Sequence, residues 1–116
     1  MIIKKNDIPT ATEYSSMGGE GTLHLNKMSA FDSFPKAVST FARATLEVGS
    51  SVGFHVHETN SEAYYFLSGV GEYDDNGVKS TVTSGDFTYT PCGEGHGIKN
   101  IGDVPLEFIA LIINNT

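Results

Sequence analysis

The chain has 116 residues, which is enough for one domain with one hydrophobic core. Its formal net charge is −7, and its seven basic residues are scattered, so it lacks the basic cluster that nucleic acid or an anionic membrane surface would require. No stretch approaches the roughly 20 apolar residues of a membrane span. The single cysteine, Cys92, cannot form an intrachain disulfide. These features predict a cytoplasmic protein that binds neither nucleic acid nor membrane.

Residues 1–20 show no regular pattern and are predicted to form an N-terminal arm, followed by one domain over residues 21–116. In that domain, short alternating or aromatic runs are separated by glycines, prolines and an Asn-Gly turn signal, a pattern typical of many short strands. No segment shows a clear helical period. The even strand spacing favours an all-β fold, a barrel or a sandwich. Strands are predicted at 22–28, 40–48, 54–57, 62–67, 78–83, 87–90, 96–101 and 106–113.

Three of the four histidines fall into one pattern with a glutamate. His55 and His57 are two residues apart on an extended segment, so their side chains point the same way. Glu62 follows a four-residue turn, where a hairpin can place it beside that pair, and His96 begins another strand after a loop that contains Pro91. Three neutral imidazoles and one carboxylate suit a divalent transition metal. Spacing alone leaves open that these are polar residues on solvated strand faces.

Glycines and a proline frame the four residues at fixed distances. With x for any residue, the chain reads G-x5-H-x-H-x4-E-x6-G over 49–69 and G-x5-P-x-G-x2-H-x3-N over 85–100, with 15 residues between the two segments. Gly49, Gly69 and Gly85 are expected at turns that need backbone angles other residues resist. In these two segments the chain resembles both consensus motifs of the cupin superfamily.

The resemblance implies an antiparallel jelly-roll β-barrel that holds one divalent ion per chain, with Mn, Fe, Ni, Co and Zn all compatible with the ligands. The ligands it implies are His55, His57, Glu62 and His96. It leaves the activity open, because resembling families include oxygenases, oxalate-type decarboxylases and sugar-phosphate isomerases. The first hypothesis is a metal-dependent enzyme acting on a small carboxylate, enediol or sugar-like metabolite. The second is a non-catalytic module that binds or senses a small ligand.

Two further side chains are candidates for the substrate pocket. Tyr64 shares the parity of Glu62 and should face the interior beside the metal, as should Phe66, for which a core role is an equal alternative. Arg43 could hold a substrate carboxylate if its strand face looks into the lumen. If that face looks outward, Arg43 is a solvated charge beside Glu47.

Other side chains with reactive or aromatic groups are assigned ordinary roles. Phe87 and Tyr89 share a strand face and are predicted to point inward as core. His24 lies opposite an apolar strand face, so a solvated or interface histidine is favoured over a site residue. Cys92 could be a redox-active thiol, but nothing nearby in sequence lowers its pKa, and a small, half-buried filler is favoured.

A homodimer is also predicted, because the apolar strand faces exceed what one lumen needs. Residues 1–20 have little core of their own and could cross onto the partner. The apolar residues considered for this interface are Phe54, Val56, Phe108 and Ile112.

Overall fold

The structure, a computed structural model, describes residues 1–115 and is built almost entirely from β-strands. Two three-residue 3-10 turns lie at Lys5–Asp7 and Ser16–Gly18, and no helix in the described residues is long and apolar enough to span a membrane. The all-β prediction is confirmed. The strands are β1 (Thr10–Tyr14), β2 (Thr22–Lys27), β3 (Val38–Leu46), β4 (Ser51–Val56), β5 (Asn60–Ser68), β6 (Val70–Asp75), β7 (Val78–Thr83), β8 (Phe87–Thr90), β9 (Gly95–Asn100) and β10 (Leu106–Asn114).

The strands form two antiparallel sheets. One sheet has the order β1-β2-β3-β10-β5-β8, and the other has the order β4-β9-β6-β7. One continuous core joins side chains from both sheets, so the two inner faces pack against each other as in a jelly roll. The largest fully buried apolar side chains are Leu46, Phe66, Leu106 and Phe108.

Alternation along β3 and β10 shows how the sequence builds this core. Ala42 and Ala44 point inward from β3, and their partners Ala110 and Phe108 point inward from β10. Three of these four side chains are alanines, and small side chains on an inner face leave space between the sheets. A cavity lies next to this part of the sheet, with Ala44 and Ala110 in its wall.

The positions where the motif glycines were predicted to turn the chain adopt the expected backbone. Gly49, Gly69 and Gly85 have φ values of 76°, 93° and 90°, which only glycine adopts freely. Asn76 and Gly77, with φ values of 50° and 100°, close the hairpin between β6 and β7. These turn predictions are confirmed.

Two side chains predicted to point inward point outward, and two that were considered for a dimer surface lie in the core or in the cavity wall. Phe87 and Tyr89 are 64% and 53% exposed, because the β5–β8 register turns the alternate residues of β8 inward. Phe108 is buried in the core, and Ile112 contributes to the cavity wall, so neither can contribute to a dimer surface. Parity along a strand showed correctly which side chains share a face but not which face is internal.

Part of the predicted N-terminal arm joins the sheet of its own chain. Strand β1 pairs with β2, with Ala11 opposite Leu25 and Glu13 opposite Leu23. The turn at Ser16–Gly18 then packs against β4. The arm therefore extends the six-stranded sheet and reaches the mouth of the cavity.

Candidate metal centre

Three neighbouring segments bring the four motif residues together. His55 lies on β4 directly opposite His96 on β9, His57 follows the end of β4, and Glu62 points inward from β5. His57, Glu62 and His96 are buried, and His55 is half-buried. One ligand atom from each of the four side chains lies within 4.8 Å of the others. The structure thus brings together all four residues that the sequence motifs selected.

The nitrogen and oxygen atoms at the centre of this cluster lie so close together that their lone pairs would repel one another if nothing lay between them. His57 Nε2 lies 3.0 Å from His96 Nε2 and 3.1 Å from Glu62 Oε1, and His96 Nε2 lies 2.9 Å from the same carboxylate oxygen. Shared protons or a cation must offset the repulsion between these atoms. Three imidazole nitrogens and a carboxylate oxygen form a donor set that fits a divalent transition metal.

Hydrogen bonds on the outer side of the cluster orient two of the imidazoles. His55 Nδ1 lies 2.7 Å from the Gly53 carbonyl oxygen, which can only accept, so Nδ1 carries the proton. His57 Nδ1 lies 2.6 Å from Asn60 Oδ1 and donates to it in the same way. With Nδ1 protonated, the Nε2 atoms of neutral His55 and His57 are free to bind a metal.

The third imidazole is held by a buried chain of hydroxyl groups. His96 Nδ1 lies 2.7 Å from the Tyr73 hydroxyl, which lies 3.0 Å from Thr90 Oγ1. His96 Nδ1 can donate to Tyr73, which in turn can donate to Thr90, leaving His96 Nε2 directed at the cluster. Burial raises the pKa of Tyr73, so its phenol keeps the proton that it donates.

The charges of the metal-free cluster follow from its burial and hydrogen bonds. Burial alone would raise the pKa of Glu62, but hydrogen bonds from His57 and His96 outweigh it, and the pKa lies below its ordinary value. The hydrogen bond to Glu62 raises the pKa of His57, whereas burial lowers the pKa of His55. The metal-free site therefore favours an ionised Glu62 beside a protonated His57, an arrangement in which a proton occupies the place available to a metal.

A cavity of about 220 Å³ opens from the cluster. His55, His57 and Glu62 contribute polar side chains to its wall, and aliphatic side chains from β2, β3 and β10 form part of the rest. Tyr64 also lines it, with its ring centroid 5.0 Å from that of His96. Burial raises the pKa of Tyr64 well above its ordinary value, so its hydroxyl stays protonated. Whether Tyr64 takes part in a reaction stays a prediction.

Arg43 lies on the outer face of the six-stranded sheet, between the inward-facing Ala42 and Ala44. It is half-exposed, and its guanidinium donates to Glu107 at 3.1 Å. Arg43 therefore points outward, which was the second of the two alternatives, but its acidic neighbour is Glu107 and not Glu47. The arginine does not contribute to the cavity wall.

His24 and Cys92 also lie outside the cluster. His24 is half-exposed on the outer sheet face and contacts Glu47 and Thr12. Cys92 is exposed, not half-buried as predicted, and its sulfur lies 3.1 Å from the Glu58 carbonyl oxygen.

Sequence reasoning did not find Asn60, Tyr73 or Glu13. Asn60 lies between the predicted ligands His57 and Glu62 in the sequence, and this position could have identified it as a residue that orients one of them. Tyr73 reaches His96 only through the pairing of β6 with β9, which no local pattern reveals. Glu13 contributes to the cavity wall from a segment with no strand pattern in the sequence.

The chain belongs to the cupin domain family, whose model matches residues 42–112. The oxalate-binding protein of Thermotoga maritima is 36% identical over 113 residues, which cover 97% of this chain and 93% of that protein. A crystal structure of a predicted oxalate decarboxylase from the same organism superposes with a TM-score of 0.92 at 36% identity, covering 99% of this chain and 100% of the other. Oxalate decarboxylase OxdC of Bacillus subtilis is 34% identical over 83 residues, but the alignment covers only 22% of that enzyme.

Proposed function

We propose that this protein binds one divalent transition-metal ion on His55, His57, Glu62 and His96 and uses it to bind a small chelating acid. The observation that carries the proposal is the convergence of four donor atoms within 4.8 Å beside a cavity. Oxalate is the first candidate ligand, because an oxalate-binding protein is similar to this chain over nearly its whole length. A bound divalent ion would supply positive charge and exchangeable coordination positions.

The size of the cavity limits the ligand. Pockets for drug-sized ligands are about 300–1,000 Å³, whereas this cavity measures about 220 Å³. A compact acid of a few heavy atoms fits within this volume. The apolar part of the wall lowers the local polarity and so strengthens the attraction between a bound anion and a cation at the cluster.

Catalysis on the bound acid is the finer form of the proposal. A decarboxylase reaction is favoured over oxygenase or isomerase chemistry by the similarity to OxdC. A purely binding or sensing role is the alternative, favoured because no lysine or arginine lies among the lining residues within 1–115. Without such a cation, the protein itself offers no group to neutralise a second carboxylate on the ligand.

Calorimetric titration of oxalate into Mn²⁺-loaded and chelator-treated protein tests the proposal. We expect binding to the metal-loaded protein alone, and loss of binding in His96→Ala. His24→Ala is the matched control, since it removes a histidine outside the cluster. Formate and carbon dioxide measured in the same samples separate turnover from binding. Equal binding of oxalate to metal-loaded and metal-free protein would contradict the proposal.

We further infer a homodimer, and a cytoplasmic location stays a prediction. Exposed apolar side chains support the homodimer. Phe54 and Val56 on β4 are each 50% exposed, and Phe87 and Tyr89 form a second exposed pair on β8. Light scattering should give the mass of two chains at micromolar concentration. The mass of a single chain would contradict the inference.

A further inference from the structure

A second carboxylate belongs to the cavity. Glu13 lies on β1 opposite Leu23, whose side chain points into the core. Glu13 therefore shares the inner face with Leu23, and both line the same cavity as His55, His57 and Glu62. Apart from the residues of the metal cluster and Tyr64, Glu13 is the one titratable side chain among the described residues that line this cavity.

A single side chain holds this carboxylate in place. The buried Ser16 hydroxyl donates to Glu13 Oε1 at 2.8 Å. Within residues 1–115, Glu13 has no other side-chain hydrogen bond and no ion pair. Its second oxygen is thus free to accept a hydrogen bond from a molecule in the cavity.

The segment that follows Glu13 is fixed to β4 rather than loosely attached. Met17 has a left-handed backbone with φ of 51°, and its carbonyl oxygen packs where a side chain on Gly53 would be. Glu20 and Ser51 exchange two hydrogen bonds, of 2.8 and 2.9 Å. A residue in the left-handed region persists only where its surroundings hold it, so the position of the arm over the cavity is determined by the fold.

We propose that Glu13, oriented by Ser16, determines which chelating acids the site prefers. The inference rests on the proposed metal-dependent binding of a small acid. A carboxylate without a cationic partner, in a cavity with a partly apolar wall, repels the outer oxygens of a fully ionised dicarboxylate. The same carboxylate accepts a hydrogen bond from an O–H group. Among the small chelating acids that the site can bind, oxalate included, Glu13 therefore favours those that carry a hydroxyl or a protonated carboxyl group.

Calorimetric titration of Mn²⁺-loaded protein with oxalate and with glycolate measures this preference as the ratio of the two dissociation constants. Glu13→Gln removes the charge and keeps an acceptor for Ser16. We expect the variant to bind oxalate about tenfold more tightly relative to glycolate than the wild type does, because the removed repulsion equals that of one partly screened pair of charges. Glu20→Gln is the matched control, because Glu20 is an exposed glutamate of the same arm and does not line the cavity. It should leave the ratio unchanged.

The outcomes separate this proposal from the one on which it rests. An unchanged ratio in Glu13→Gln, with both acids still binding only to metal-loaded protein, overturns the role of Glu13 and leaves the proposed function intact. Failure of both acids to bind metal-loaded wild-type protein overturns the proposed function first. Glu13→Ala provides a second variant if Glu13→Gln does not fold, because it also removes the charge. It should shift the ratio in the same direction, and no shift there overturns the role of Glu13.

Discussion

Replacing Tyr73 with phenylalanine should weaken metal binding although Tyr73 touches no metal position. The substitution keeps the buried ring but removes the hydroxyl that lies 2.7 Å from His96 Nδ1 and 3.0 Å from Thr90 Oγ1. His96 is only 1% exposed, so no solvent can replace the lost partner. An unsatisfied buried polar group costs about 1–3 kcal/mol. Loss of a partner that orients a ligand typically lowers metal affinity about 10–100-fold.

Competition between the protein and a chromophoric chelator for Zn²⁺ gives the affinity, and urea unfolding of the metal-free protein gives the stability. Tyr65→Phe is the matched control, because it removes a hydroxyl from a tyrosine that is 48% exposed on the outer face of β5. We expect a loss of metal affinity in Tyr73→Phe alone. If the two variants have the same metal affinity, the hydroxyl chain does not orient His96 and the reasoning is refuted.

Three further predictions concern pH, packing and the residues outside the site. The lowered pKa of Glu62 stabilises the metal-free fold at pH values above 4.5, the ordinary pKa of a glutamate, and this stabilisation is lost as pH falls through the folded-state pKa. The raised pKa of His57 stabilises the metal-free fold at pH values below 6.5, and that stabilisation is lost as pH rises through the folded-state pKa of His57. The lowered pKa of His55 acts against the His57 contribution near pH 6.5, because it costs stability as pH falls below that value. Urea unfolding of chelator-treated protein should therefore show a clear loss of stability as pH falls below 4.5, and no loss there would contradict the prediction. Gly53→Ala should lower the free energy of unfolding by about 1–3 kcal/mol, because the added methyl group would overlap backbone atoms. Gly102→Ala is the control and should change the free energy of unfolding little, because the nearest atom to its added methyl group lies 3.6 Å away. Equal losses for the two variants in urea unfolding would contradict this prediction. Cys92→Ala should leave metal affinity unchanged in the chelator competition, because the thiol is exposed and bonded to a carbonyl outside the cluster, and a clear loss would place it in the site.

Most of the candidate metal residues could be found from the sequence because the required information is local. His55 and His57 share a face through strand alternation, and a four-residue turn can bring Glu62 beside them. His96 was included through the resemblance to the cupin motifs, because the pairing of β4 with β9 that sets it opposite His55 is not a local feature. The all-β fold was predictable because turn residues and short alternating or aromatic runs mark eight of the ten strands, all except β1 and β6.

What the sequence did not reveal depends on contacts between distant segments. Alternation groups Phe87 with Tyr89, but only the register of β5 with β8 decides that both point outward. The contact between Tyr73 and His96 likewise depends on the pairing of β6 with β9. Glu13 enters the cavity because β1 adds to the edge of the sheet, and nothing in residues 1–20 predicts that strand.

Titration of metal-free protein with Co²⁺, followed by visible absorption, tests most directly whether the four side chains form a metal site with room for a ligand. The structure predicts saturation at one ion per chain, loss of this binding in His96→Ala, and a change in the spectrum when oxalate is added, because the acid would bind the ion from the cavity side. Equal Co²⁺ binding by wild type and His96→Ala, or a spectrum that oxalate does not alter, would contradict the account.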